Sequence, residues 1–286
     1  MKRWTLLIVL GLAGAAAQAV PVPLAPLLPS STPTTSGAAA LFIQIANDWT
    51  GSTVLWNEAA GRYGDGDPIG ATYGGTWGTG LWGRADFDAV LAGGVAPIET
   101  WSGVVAEINF GDDCYNSAWS ATWGAAVQAP LFAGAVPCAL GDGEANAQDN
   151  WISSFSGYIR VYEAGLYNFS VLYDDGFFFN LYGAGHESHS ISMDFLNPRD
   201  RLGFGNDFWL SPGLYGFELG AWERLQAGVV DLRWRRGEGT DWTLVPTESV
   251  SIPEPSTLVL LLAGLAVGWS SRAGREARRR LTPCGA

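Results

Sequence analysis

Gly165-Leu166-Tyr167-Asn168-Phe169-Ser170-Val171-Leu172-Tyr173-Asp174-Asp175-Gly176-Phe177-Phe178-Phe179-Asn180-Leu181-Tyr182 is the stretch on which the fold class turns. Tyr167, Phe169, Val171 and Tyr173 share one parity while Asn168 and Ser170 fall on the other. That period of two predicts a strand over 166–173 with one buried face. Residues 157–163 read as its hairpin partner, turned at Ala164-Gly165. Beyond Asp174-Asp175-Gly176, residues 177–182 are again strand-like. The same alternation recurs at 214–219, where Tyr215, Phe217 and Leu219 share a face, and at 228–235, where Val230, Leu232 and Trp234 do. An all-β fold, an antiparallel sandwich or barrel, is expected.

Composition agrees. Glycine supplies 38 of 286 residues, about twice the usual share, and aromatics 13%. This is the profile of many short strands joined by Gly-containing turns, not of a helical bundle. With 48% apolar and 15% charged residues the chain can bury a core. No linker divides the body, so a single β domain over 37–246 is expected. Gly165-Leu166-Tyr167-Asn168-Phe169 is echoed by Gly213-Leu214-Tyr215-Gly216-Phe217, two strand starts in one domain. In the less legible half before Asn150, a short helix is expected over 87–91, entered at Ala85-Asp86. Asp65-Gly66-Asp67 has the D-x-D spacing of calcium loops but lacks the downstream Glu of an EF-hand and reads as a loop. Trp77, Trp82, Trp101, Trp119 and Trp123 recur there with small residues. Exposed tryptophans stack on sugar faces, whereas buried ones serve a core, and both readings stay open.

A longer pattern carries a resemblance. It runs Ser156-Gly157-Tyr158-Ile159-Arg160-Val161, Ala164-Gly165-Leu166-Tyr167-Asn168-Phe169, Tyr173-Asp174-Asp175-Gly176, Ser211-Pro212-Gly213-Leu214-Tyr215 and Val230-Asp231-Leu232-Arg233-Trp234. In that order these segments resemble the PA14 domain over about 151–236, and the G-x-Y-x-F strand followed by Asp-Asp-Gly is the most specific part. The resemblance implies a β barrel of the kind found in toxins, glycosidases and adhesins, commonly associated with carbohydrate. In its calcium-using lectins the Asp pair, joined by a cis peptide, holds Ca²⁺ and the ion holds sugar hydroxyls. Carried over, this names Asp174 and Asp175 as metal ligands. The residues themselves support two readings. Adjacent carboxylates at a rim suit a cation that takes 6 to 8 oxygens, and Asp-Asp-Gly between apolar strands is also a turn signal.

Both ends read as addresses. Met1-Lys2-Arg3, the apolar run Leu6 to Leu12 and Ala17-Gln18-Ala19 have the three regions of a secretory signal peptide, with cleavage after Ala19. Residues 20–36 are expected to be a Pro/Ser/Thr-rich linker. At the other end Pro253-Glu254-Pro255 precedes an apolar stretch, Leu258 to Trp269, and a cluster of Arg272, Arg275, Arg278, Arg279 and Arg280. Residues 252–280 resemble the PEP-CTERM sorting signal of Gram-negative bacteria. That implies recognition of Pro253-Glu254-Pro255 by an exosortase-type transpeptidase. It also implies transient inner-membrane anchoring through a short apolar helix over 257–269, and release to the cell surface or extracellular matrix. The stretch is short for a span of about 20 residues, and its flanking arginines obey the positive-inside rule. Export into an oxidising compartment, with Cys284 beyond the signal, leaves Cys114 and Cys138 as an even pair. A disulfide closing that 25-residue loop is worth roughly 3 kcal/mol.

The net charge of −12 sums three pieces with different fates. Setting aside 1–19 and 272–286 removes seven basic residues and one acidic one, leaving 9 basic and 27 acidic, net −18. Such a body repels nucleic acid and anionic headgroups, and it suits either cation binding or simple solubility outside the cell. No catalytic motif is present. His186-Glu187-Ser188-His189 lacks the i, i+4 spacing of the H-E-x-x-H zinc helix, and there is no nucleophile elbow, P-loop or dinucleotide fingerprint. The expectation is an exported cell-surface or matrix protein, not an enzyme, with a carbohydrate-binding β domain. The alternatives are a structural exopolysaccharide or biofilm matrix component without a specific ligand, or a secreted glycan hydrolase.

Overall fold

The computed structural model describes residues 20–46, 49, 55–57, 62–63, 67–68, 81–126, 149–224 and 227–254. The signal segment 1–19, Trp77, Cys138, Pro255, the apolar stretch 257–269 and the basic tail lie outside the described residues. No helix among the described residues is long and apolar enough to cross a membrane.

In chain order the elements are β1 (Val22–Leu24), β2 (Thr34–Ser36), β3 (Ala38–Ile45), β4 (Leu55–Asn57), β5 (Arg62–Tyr63), β6 (Asp67–Pro68), α1 (Arg84–Leu91), β7 (Pro97–Val105), β8 (Asn109–Gly111), α2 (Asp113–Ala118), α3 (Ser120–Trp123), β9 (Trp151–Val161), β10 (Gly165–Tyr182), β11 (Ser188–Gly203), β12 (Phe208–Leu210), β13 (Gly213–Glu223), β14 (Val229–Arg236), β15 (Thr243–Leu244) and β16 (Val250–Pro253). The all-β expectation holds. Among the described strands every pairing is antiparallel except β1 with β12.

β10 is the hinge between two layers. Its first half pairs with β14, Tyr167 opposite Arg236 through Asp174 opposite Val229. Its second half pairs with β13, Gly176 opposite Trp222 through Tyr182 opposite Gly216. β11 runs along its other edge. The β13 layer continues through β9 to β3 and β7, and the β14 layer adds β8 and β15. The residues picked out by parity meet in one core. Tyr167, Phe169, Val171 and Tyr173 pack with Tyr215, Phe217, Leu219, Val230, Leu232 and Trp234. The opposite face of β10 is buried as well: Leu172 lies under Tyr115 of α2, and Asn168 is tied to Asp207.

Three expectations change. The hairpin of 157–163 with 166–173 does not form, because β9 pairs with β13 and β3 while β10 pairs with β11, β12, β13 and β14. Alternation reports which face is buried, not which strand lies alongside. Asp174-Asp175-Gly176 is no turn either, since it lies inside an uninterrupted 18-residue strand, with register shifts on both sides of Asp175. And the expected linker 20–36 is laid onto the domain. Leu24 is buried, Leu28 bridges to Leu214, and the Arg160 guanidinium donates to the Ser30 and Thr32 carbonyls and to Thr34 Oγ1. Proline is at home on such an edge segment, where its missing N–H is not needed for pairing.

The echoed Gly-Leu-Tyr starts share a physical cause. Tyr167 Oη donates to the Glu163 carbonyl at 2.8 Å and Tyr215 Oη to that of Ser211 at 2.9 Å, each four residues upstream. Each ring is thus in the core while its hydroxyl ties down the preceding turn. The expected helix at 87–91 is the later part of α1, whose Phe87 sits edge-on to Phe178 at 5.1 Å.

Candidate functional site

The rim is built where β10 changes partner. The Asp174–Asp175 peptide bond is cis. Gly176 follows because no side chain fits: a Cβ there falls 2.4 Å from the Trp222 indole. The end of β13, the starts of β9 and β14 and the end of β8 reach the same rim, since Trp151 lies opposite Glu223 and Val229 opposite Gly111.

Five carboxylates interact electrostatically around this rim. Asp112, Asp149 and Glu223 have no exposed surface, Asp174 is buried and Asp175 keeps a partial solvent contact. Two guanidinium groups face them. Arg199 pairs with Asp174 Oδ2 and lies 3.8 Å over the Trp119 ring, held there by α2 and α3. Arg224, fully buried, donates through Nη1 to Asn150 Oδ1 at 3.0 Å. Its backbone N–H donates to Asp175 Oδ2 at 2.7 Å. Asp112 caps α2 by accepting from Tyr115 N at 2.7 Å and also accepts from Gly228 N at 2.6 Å. Glu223 Oε2 accepts from Asn150 N at 3.1 Å, while Glu223 Oε1 is buried with no hydrogen-bond partner.

Electrostatics follow from that excess of negative charge in a dry place. Burial pushes the Asp112 carboxyl up to about 7, with Asp149 adding to the rise and the Tyr115 and Gly228 N–H groups opposing it. Burial also lifts Asp175 to about 7 against the pull of Arg224. Asp174 is raised well above 3.8 by burial and then by the charge of Asp175. Glu223 is raised by burial and by Asp149, Asp175, Asp112 and Asp174 together. A site of this kind lowers its energy by taking up protons or a cation.

Of the sequence-derived site residues, Asp174 and Asp175 meet at the rim. Cys114, on α2 beneath it, is buried and disulfide-bonded. Pro253 ends β16, opposite Thr34, and Glu254 is exposed just beyond it. His186 lies in a short 3₁₀ turn and His189 in β11, so they share no helix face. Trp82 is core, Trp101 packs against the core, and Trp119 is part-exposed against Arg199. Sequence reasoning missed Asp112, Asp149 and Glu223. Glu223 does carry a signal, an acid directly after the apolar run Leu219 to Trp222 at the end of β13. Among the described residues no three His, Cys, Asp or Glu side chains are arranged to hold a metal ion.

No protein-family model and no curated protein matches the chain. Solved structures do. The PA14 domain of the MpAFP antifreeze protein is similar at 17% identity and a TM-score of 0.44, over 78% of this chain and 96% of that one. The PA14 sugar-binding domain from an RTX adhesin is similar at 18% identity and a TM-score of 0.41, over 76% and 99%. The epithelial adhesin 6 A domain from Candida glabrata, solved with Galb1-3GlcNAc, is similar at 12% identity and a TM-score of 0.47, over 82% and 93%.

Proposed function

We propose that the chain is an exported cell-surface or extracellular-matrix protein whose β domain binds carbohydrate through Ca²⁺ held by Asp174 and Asp175. The observation that carries this is the rim itself: the adjacent Asp174 and Asp175 carboxylates feel the charges of Asp112, Asp149 and Glu223, and the buried Glu223 Oε1 lacks a hydrogen-bond partner. The donor set is all hard oxygen, as Ca²⁺ prefers, and a divalent ion would relieve the mutual repulsion that raises these carboxyls. Asp174 and Asp175 bring at most four carboxylate oxygens of the 6 to 8 the ion takes, so backbone carbonyls and ligand hydroxyls complete the shell. When bound, the ion supplies a point of attachment for sugar hydroxyls. The chain's own part is to hold the pair: Arg199 anchors Asp174, and the Arg224 N–H anchors Asp175. Glu223 and Asp112, which burial makes hold their protons more tightly, would give them up to a bound cation.

Export, sorting at Pro253-Glu254-Pro255 by an exosortase-type transpeptidase, transient anchoring through 257–269 and a Cys114–Cys138 disulfide belong to the same reading. Pro253, the last residue of β16, and Glu254 beyond it are exposed, which supports access to the motif. The test is thermal unfolding and glycan binding of the full chain with Ca²⁺ or chelator. Calcium is expected to raise the unfolding temperature of the native chain but not of Asp175→Asn, and to be required for part of the glycan binding. Indifference of both readouts to calcium rejects the reading.

A further inference from the structure

We infer a second carbohydrate subsite, independent of calcium, in the cleft at the opposite end of β10. Asn168, beside this cleft, and Asp174 are six residues apart on one strand, about 20 Å at the usual rise. The cleft, about 400 Å³, is lined by Pro21, Leu166, Asn206, Asp207, Arg235 and Glu238.

Asn168 and Arg235 lie directly opposite one another on β10 and β14. The orientation of the Asn168 amide is fixed, because Nδ2 donates to the Phe204 and Asn206 carbonyls and to Asp207 Oδ1. Asn168 Oδ1 is left buried without a hydrogen-bond partner. Arg235 Nη2 donates to the same Asp207 Oδ1 at 2.6 Å, and Trp242 lies 5.3 Å from its guanidinium, yet Arg235 Nε is also buried without a partner. A buried acceptor and a buried donor thus belong to directly opposed residues, each carrying the cost of an unmade hydrogen bond. A hydroxyl answers both, since it accepts from Nε–H and donates to Oδ1.

The surroundings narrow the class. Trp209 lies opposite Leu166 on one side and Pro23 on the other, and it is 49% exposed. Its strand partner Leu166 lines the cleft, so the half-exposed indole offers a stacking surface at the cleft's edge for the C–H face of a sugar ring. Asp207 and Glu238 accept hydroxyl protons and repel anions, and Arg235 is already neutralised by Asp207. The ligand class is therefore a neutral hexose unit of a polysaccharide, not a uronic or sulfated one. With the calcium rim at the other end, one domain would grip a glycan chain at two places.

The experiment is calorimetric titration of the full chain with neutral glucose, galactose and mannose oligosaccharides, in EDTA and then in Ca²⁺. Binding of at least one oligosaccharide in EDTA is expected, weakened about tenfold by Trp209→Ala and also by Glu238→Gln. Both side chains are exposed, so the fold is retained. Absence of binding in EDTA overturns the proposal, as does EDTA-resistant binding that neither substitution alters. Binding lost in EDTA and in Asp175→Asn but untouched by Trp209→Ala supports the calcium rim while rejecting this subsite.

Discussion

Raising the pH should loosen this protein. A carboxyl whose value is lifted by burial binds its proton more tightly in the folded chain than in the unfolded one. Stability therefore falls as pH climbs from the unfolded value toward the folded one, and levels off above it. Asp112 has no exposed surface and rises from 3.8 to about 7. At about 1.4 kcal/mol per unit this one group is worth about 4 kcal/mol in all, of which about 3 kcal/mol is lost between pH 5 and pH 8. Asp174, Asp175 and Glu223 shift in the same direction. They titrate as one interacting set, so their contributions do not simply add. Urea unfolding followed by tryptophan fluorescence in EDTA, at several values between pH 5 and pH 8, is expected to show a fall of at least about 3 kcal/mol. Glu223→Gln keeps an oxygen for the Asn150 N–H while removing a charge, and it should flatten the slope. Stability that is level or rises over this range would refute the placement of five acids in one dry rim.

The other expectations concern how the rim and core are held. Gly176→Ala forces a methyl into the Trp222 indole and is expected to cost about 1–3 kcal/mol in urea unfolding; an unchanged midpoint would show that the ring is free to shift. Tyr215→Phe removes a hydroxyl that donates to the Ser211 carbonyl and accepts from its N–H. A loss of about 1–2 kcal/mol is expected, and one of similar size for Tyr167→Phe, whose hydroxyl donates to the Glu163 carbonyl and also meets Arg236. Arg160→Ala removes three hydrogen bonds onto residues 30–34, so limited proteolysis should cut within 20–36 well before the β core; equal resistance to the native chain would show that β1 and β2 hold the segment unaided.

How far the sequence could be read depended on the range of the information. Period-two alternation is local, so the inward sets Tyr167–Tyr173, Tyr215–Leu219 and Val230–Trp234 were legible before any coordinates. Neighbour relations are not local. Nothing near Gly157 says that β13 lies between it and β10, and nothing in the prolines of 20–36 says that Arg160, more than a hundred residues on, gathers the Ser30 and Thr32 carbonyls. Asp174-Asp175-Gly176 shows the same limit. Its residue types suit a turn, but the flanking halves of β10 find different partners, β14 and β13, and the strand bends without reversing. The candidate site was half visible for this reason. Its two adjacent acids announce themselves, while Asp112, Asp149 and Glu223 arrive from strand ends that only the topology brings together.

The central claim is that the rim takes a divalent cation at Asp174 and Asp175, and calcium titration into the chelator-stripped full chain tests it most directly. The account predicts saturable binding of one ion at millimolar concentrations or below. Binding should release protons near neutral pH, because the ion displaces them from the raised carboxyls, and the heat should vanish in Asp174→Asn/Asp175→Asn with the β circular-dichroism spectrum intact. No heat up to about 10 mM Ca²⁺, or the same isotherm from the double variant, would contradict it.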